Sequence, residues 1–337
     1  MSGLSLPDRL HLARLDRPHA YFFDRMRKPA TLLLLLLACA TSPAQSAPAN
    51  QSANDSASTL KVDVKLVNVY VTVTDARGGP VAGLKKENFI LQEDGRDQTI
   101  SVFDKESAVP LSIALAIDTS LSTRHDLPLE QASAKRFAHT ILRPVDALSV
   151  FGFSETVLQS TSYTSDLKRI DDGIDHIRLG AATALFDAVY LASRSLDRRQ
   201  GRKVLVLITD GGDTISKVDY KEAVRAAEEA ESIVYSIIVV PIESSAGRET
   251  GGEHALIQLS EDTGGKYYYA TSMSQLDDAF HQISDELRTQ YLLAYYPSQR
   301  LSNSQFRRIQ VNVSGRSDSG TYRVRNRAGY YTFKSGF

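Results

Sequence analysis

The residues best placed to do chemistry lie in the stretch DTSLS, residues 118–122, which follows the apolar run LSIALAI. Asp118, Ser120 and Ser122 alternate there, and in an extended segment residues two apart project to the same side. One short loop can therefore aim a carboxylate and two hydroxyls at one point. Thr183, in the loop GAAT before a helical stretch, and Asp210, after the run VLVLIT, can join them. In open α/β sheets ligands sit beyond the carboxyl ends of the strands, where all three stretches end or turn. All five residues are oxygen donors. Such hard sets suit Mg2+, Mn2+ or Ca2+ rather than zinc, with Mg2+ the first choice. Two carboxylates nearly balance a divalent charge without filling its coordination shell. A carboxylate from a partner can then take the open position.

Ser, Thr and Asp are also preferred helix caps. Any one of the five alone reads as a cap or a polar strand end; together, at three strand or loop ends, they read as a cation site. Asp187 and Asp213 lie nearby and read as structural, one inside the helix after Thr183 and the other in the loop after Asp210. An enzyme fits less well. Phosphatases with an aspartyl nucleophile at the end of a first strand usually carry a second Asp two residues later as general acid. Here that position is Ser120, which cannot serve at neutral pH. GxSxG, P-loop and GxGxxG motifs are absent. The seven histidines are scattered, and His125 reads as a first-turn helix residue. A metal-dependent hydrolase is the weaker alternative.

The elements that must position these residues follow a clear rhythm. From residue 111, buried strands alternate with helices: LSIALAI, ALSVFGF, VLVLIT and IVYSIIVV are apolar runs of the kind buried on both faces. Between them run helical stripes: Leu129, Ala134, Phe137, Ala138 and Ile141; then Leu185, Ala188, Val189, Ala192 and Leu196; and at the end Leu276, Phe280, Ile283 and Leu287. SDLKRIDDGIDHI reads as a short helix, and KYYYA as a strand after a helix ended by Gly264. This order predicts a doubly wound, mostly parallel sheet, Rossmann-like in layering, over residues 109–288. The flanks read as β. Val62, Val64 and Leu66 share one face and Val67, Val69, Val71 and Val73 the other, which predicts a bulge near Leu66–Val67. FILQEDGRDQTISVF reads as a hairpin turning at Asp94-Gly95. Strands return after residue 289, with Arg323, Arg325 and Arg327 on one solvated face. Pairing 60–108 with 289–337 would make one all-β, immunoglobulin-like sandwich into which the α/β domain is inserted.

AIDTSLS, GAATALFDAV and VLVLITDGGD together resemble the von Willebrand factor A domain, over about residues 109–288. The resemblance implies a metal-ion-dependent adhesion site: Asp-x-Ser-x-Ser in a first loop, a Thr in a second and an Asp in a third. These match Asp118, Ser120, Ser122, Thr183 and Asp210. Leu121 departs from the family, in which Gly is common at that position. The flanking β segments resemble those of secreted von Willebrand factor A-related proteins abundant in acidobacteria.

The N-terminus reads as an address. Arg27 and Lys28 precede the leucine run 32–37, too short to span a membrane, and small residues follow, as in a secretory signal peptide over the first 40 residues. Residues 1–25 are polar and irregular, and Met26 is the better start. Cys39, the single cysteine, ends LLAC, which resembles a lipobox with Leu37 in place of a smaller or β-branched residue; ACA (38–40) and AQS (44–46) suit ordinary signal peptidase. Residues 41–59 hold no large apolar side chain and read as a linker. With 39 basic and 40 acidic residues, the net charge of −1 offers no basic face for nucleic acid. One Cys allows no zinc spacing and no disulfide. The expectation is an exported protein, periplasmic, extracellular or envelope-anchored. It would bind a divalent cation and, through it, an acidic group of a protein or surface polymer. Membrane contact would come only through a lipid at Cys39. The alternative is an envelope structural or assembly protein whose metal site is vestigial.

Overall fold

A computed structural model describes residues 66–105, 109–123, 127–240, 250–299, 305–317 and 320–332. The leader with Cys39, the linker, the expected phase change at Val62 and Val64, and His125 lie outside the described residues.

Four strands come first: β1 (Val67–Thr74), β2 (Phe89–Glu93), β3 (Arg96–Asp97) and β4 (Ile100–Asp104). In β1, Val67, Val69, Val71 and Val73 are buried, as the alternation requires. Asp94 and Gly95 take positive φ (48° and 76°), so β2 and β3 close a tight hairpin. The second arm of that hairpin does not stay in its sheet. After two residues the chain crosses over, and β4 joins the opposite sheet.

The α/β part follows: β5 (Leu111–Asp118), α1 (Leu127–Ile141), β6 (Ala147–Phe153), β7 (Val157–Thr164), α2 (Leu167–Asp175), α3 (Leu185–Asp197), β8 (Arg202–Thr209), α4 (Tyr220–Glu229), β9 (Ser232–Val239), α5 (Thr250–Asp262), β10 (Tyr267–Ala270) and α6 (Met273–Thr289). The sheet order is β10-β9-β8-β5-β6-β7. All neighbours are parallel except the β6–β7 pair. One face packs on α1, α2 and α6 through residues such as Phe137, Ile174 and Phe280; the other packs on α3, α4 and α5 through Leu185, Val189 and Leu256. Each fully buried side chain of this size contributes roughly 1.5–3 kcal/mol. With helices on both faces, β5 is buried at every position. The fold is a doubly wound, mostly parallel α/β sheet.

One expectation inside this part needs correction, and one strand was not foreseen. Leu129 is exposed, and the buried stripe of α1 runs instead through Leu127, Glu130, Ser133, Ala134, Phe137, Ala138 and Ile141. The edge strand β7 has no apolar run to announce it; most of VLQSTSYT faces outward, and its backbone pairing to β6 defines it.

Six short strands complete the chain: β11 (Tyr291–Tyr295), β12 (Phe306–Val313), β13 (Arg316–Ser317), β14 (Gly320–Thr321), β15 (Arg323–Arg325) and β16 (Gly329–Tyr331). Two sheets, β15-β1-β11-β4 and β16-β12-β2-β3, enclose a core of Val69, Val71, Leu91, Leu293, Tyr295 and Val311. Strands from before and after the α/β part therefore form one β-sandwich. The last strand before the α/β part, β4, pairs with the first after it, β11, Leu293 facing Phe103. The chain thus leaves and re-enters the sandwich at adjacent points.

The arginine row is not a solvated face. Arg323 is exposed, but Arg325 gives a 2.6 Å bond to Glu286 Oε2, and Arg327 bonds the Asn68 carbonyl at 2.7 Å. Arg202, almost fully buried at the start of β8, bonds Leu287 O and Gln290 Oε1 and lies 4.8 Å over the Tyr70 ring. The sandwich thus packs at the end where β8 begins, opposite the carboxyl ends of the parallel strands.

Candidate metal centre

The sheet order places β5 between β6 and β8, where the direction of winding reverses. Loops from both sides splay apart at that point and leave a crevice. Asp118 ends β5, and Thr209 ends the adjacent β8, with Ile117 opposite Ile208 in register. Asp210 follows directly. Thr183 arrives on the loop before α3.

Hydrogen bonds join these three loops in a closed ring. Between the third and first, the Thr209 hydroxyl donates to Asp118 Oδ2 at 2.7 Å. Between the second and first, the Gly180 amide donates to Thr119 O at 2.8 Å. Between the third and second, the Thr214 amide donates to Thr183 O at 2.9 Å, and the Thr183 amide donates to Thr214 Oγ1 at 2.9 Å. The bonds to Thr183 fall on its backbone; its own hydroxyl takes part in none of them.

Each loop is also fixed locally. The Ser120 amide donates to Asp118 Oδ1 at 2.9 Å. The Thr123 hydroxyl lies 3.2 Å from Asp118 O and 3.0 Å from Ser120 O, holding the 3-10 turn Leu121–Thr123 that contains Ser122. The Thr119 hydroxyl donates to Phe153 O at 3.0 Å, which turns it away from Asp118. Glu155 Oε2 accepts from the Ala181 amide at 2.8 Å and bends the second loop toward Thr183. Gly211 has φ +94°, and the start of α5 crosses so closely that a Cβ on Gly252 would lie 1.5 Å from Gly211 O. No side chain fits at that crossing.

Asp118 is fully buried, Ser120 and Thr183 nearly so, and Asp210 half-buried. Burial pushes the Asp118 carboxyl up to about 6; the bonds from Thr209 and Ser120 pull it back, and the Asp210 charge pushes the same way as burial. The two carboxylates are therefore within electrostatic reach of each other. Asp187 and Asp213 are structural, as expected: Asp187 Oδ1 accepts from the amides of Lys217 (2.9 Å) and Val218 (3.0 Å), and Asp213 Oδ1 accepts from the Phe186 amide at 3.3 Å and the Ser216 hydroxyl.

The structure therefore joins the three loops that carry Asp118, Ser120, Ser122, Thr183 and Asp210. Their donors are all oxygen, and among the described residues no cluster of three or more His, Cys, Asp or Glu side chains forms a competing site. Two carboxylates beside hydroxyls fit a hard divalent cation. Sequence reasoning missed two residues that position these loops. Thr209 closes VLVLIT one residue before Asp210 and could have been found there as a polar residue in a buried run. Glu155 gave no signal, because its partners lie 26 and 27 residues away.

Residues 113–212 match the family model of the von Willebrand factor type A domain. That segment is von Willebrand factor type A-like. The matched span runs from β5 to the loop after β8 and contains all three loops of the ring. Solved structures similar to the chain include a von Willebrand factor type A protein from Catenulispora acidiphila (11% identity, 72% of this chain and 73% of that one, TM-score 0.47). BatB from Bacteroides thetaiotaomicron is similar at 21% identity, over 53% of this chain and all of that one, with TM-score 0.42. The PilB minor pilin of Streptococcus sanguinis is similar at 14% identity, over 54% of this chain and 62% of the pilin, with TM-score 0.41. No curated protein matches the sequence. Among the described residues no helix is long and apolar enough to cross a membrane.

Proposed function

We propose that the protein is an exported binding protein. Its A domain holds a divalent cation, Mg2+ by preference, among Asp118, Ser120, Ser122, Thr183 and Asp210, and the cation binds an acidic group of a protein or surface partner. The observation that carries this reading is the ring of hydrogen bonds that gathers three loops around the buried Asp118 carboxylate. A buried carboxylate pushed toward neutrality, beside a second carboxylate, is relieved by a cation. The position of the sandwich supports the same reading, because it packs at the opposite end of the sheet and leaves the crevice clear. Export rests on the sequence of the first 40 residues. The bound cation would supply a positive centre for a partner's carboxylate. The chain's own residues supply the ligand oxygens and hold them still.

Calorimetric titration with Mg2+ and Mn2+ tests the reading. Saturable uptake by the wild type, abolished in Asp118→Ala, is expected. A wild type that shows no such uptake favours the second reading, an envelope structural protein with a vestigial site. One observation speaks for that reading: Thr209 and Ser120 already satisfy both Asp118 oxygens.

A further inference from the structure

We propose that a chloride ion is held at the seam between the sandwich and the α/β part, in a small cavity walled on one side by the Arg327 guanidinium. The cavity measures about 20 Å3. Its lining includes Asn68 and Tyr70 of β1, Glu231 just before β9, Thr263 just after α5, and Arg327 in the loop between β15 and β16. Both parts of the chain therefore supply its wall. It lies where β9 begins, at the other end of the sheet from the three loops, so it is independent of the cation reading.

Arg327 is the residue that calls for an occupant. Its Nη2 donates to Asn68 O at 2.7 Å. Its Nε and Nη1 are buried and have no hydrogen-bond acceptor among the described residues. Glu231 Oε2 lies 3.8 Å from Nη1, close enough to pair in charge and too far for a hydrogen bond. Buried donors of a charged group are costly to leave unmet. Where the protein does not meet them, a water or an ion does.

Size and charge choose between these. A space of this volume admits one water-sized particle, which excludes phosphate, sulfate and carboxylates. Two guanidinium groups, those of Arg202 and Arg327, act on the Tyr70 phenol, opposed by the Glu231 charge. Arg202 is 1% exposed, and its bonds go to neutral oxygens, Leu287 O and Gln290 Oε1. The Glu231 side chain is 30% exposed, so water screens its charge. The seam thus carries a surplus of buried positive charge. A water meets the Arg327 donors and leaves that surplus in place. A monatomic anion meets both, and the Tyr70 phenol can turn its proton to the same ion. Chloride has the required charge and size.

Two measurements test the proposal, both in chelator so that the cation site plays no part. Crystals soaked in bromide, with diffraction recorded at the bromine absorption edge, should show an anomalous peak in the cavity, within hydrogen-bond reach of Arg327 Nε and Nη1. In solution, the thermal midpoint should rise saturably with chloride, relative to gluconate at equal ionic strength. Arg327→Lys keeps the charge and removes both donors, so the excess rise should be lost. Tyr70→Phe removes only the phenol donor and should raise the half-saturating chloride concentration several-fold. Each variant is its own reference, so a lower starting midpoint does not obscure the readout. A wild-type midpoint that is the same in both salts, or a cavity with no anomalous signal, assigns the space to a water and overturns the proposal. A bromide peak without the chloride-dependent rise marks an adventitious ion only and also overturns it, as does an Arg327→Lys variant that keeps the full rise.

Discussion

The Thr209 hydroxyl donates to Asp118 Oδ2 at 2.7 Å, and Thr209 Oγ1 in turn accepts from the Gly211 amide at 3.1 Å. One buried side chain thus aims the carboxylate of the first loop and sets the start of the third. Thr209→Val keeps the shape and removes both bonds. It leaves a buried carboxylate oxygen without its donor, at about 1–3 kcal/mol. If Asp118 is a metal ligand, Mn2+ affinity falls about 10- to 100-fold, the usual effect of losing an outer-shell partner. Thr209→Ser restores most of it. A Val variant with wild-type Mn2+ affinity would remove Thr209 from the site.

Asp118 should make the protein's stability depend on pH, and, with a cation bound, on the metal as well. Burial raises its carboxyl from 3.8 to about 6. A raised folded value favours the protonated form. In the cation-free protein this contribution is fully present below pH ~4 and is lost as pH rises through ~6, to the extent of about 3 kcal/mol. A bound cation favours the ionised form and reverses the sign. In chelator, wild type should lose stability relative to Asp118→Asn between pH 4 and 7; in saturating Mg2+ that loss should disappear. Cation affinity should fall below pH 6, because binding must release a proton. Urea unfolding at stepped pH, with and without Mg2+, measures both. Parallel wild-type and Asn curves in chelator would refute the assignment.

Glu155 is solvent-exposed, yet its carboxylate lies below the usual range because its own backbone amide, and then those of Ala181 and Ala182, bond to it. Its contribution is positional. Glu155→Ala frees the stretch that carries Thr183, so Mn2+ affinity should drop several-fold while the thermal midpoint barely moves. Glu155→Gln, which keeps an acceptor oxygen, should fall between. An unchanged affinity in the Ala variant would show that the Gly180 and Thr214 bonds alone hold the loop.

What the sequence displayed, and what it hid, follows from how each feature is encoded. LSIALAI and VLVLIT were legible because burial on both faces leaves continuous apolar runs. Asp118, Ser120 and Ser122 stand out as a local polar cluster, but the extended alternation expected of them ends with the strand at Asp118, and Ser122 lies in the 3-10 turn Leu121–Thr123. Thr209 acts on a residue 91 positions away, and nothing near it in sequence shows that the two strands are neighbours. β7 was hidden because an edge strand with one wet side needs no apolar pattern. The arginines of β15 and the loop after it were misjudged for a related reason. Arg325 lies on a face that would be wet in an isolated sheet, and what covers it, Glu286 of α6, belongs to another part of the chain.

That pair supports a further prediction, about how the α/β part is fastened to the sandwich. Arg325 Nη2 lies 2.6 Å from Glu286 Oε2, with side chains 29% and 9% exposed. Arg325 Nη1 also donates to Gly265 O at 2.7 Å, and Tyr268 OH reaches Glu286 Oε1 at 3.5 Å. Removing one partner leaves a mostly buried charge, so Arg325→Ala should destabilise the protein by about 3–5 kcal/mol. Replacing both, as Arg325→Met with Glu286→Leu, should cost much less, because neither buried charge remains. Glu286→Gln should fall between, since it removes the charge and keeps an acceptor. Thermal and urea unfolding of the single and double variants close a mutant cycle. If Arg325→Ala costs under ~1 kcal/mol, the pair is screened like a surface ion pair. The fastening would then have to be sought at Arg202, which lies between Tyr70 of β1 and the end of α6.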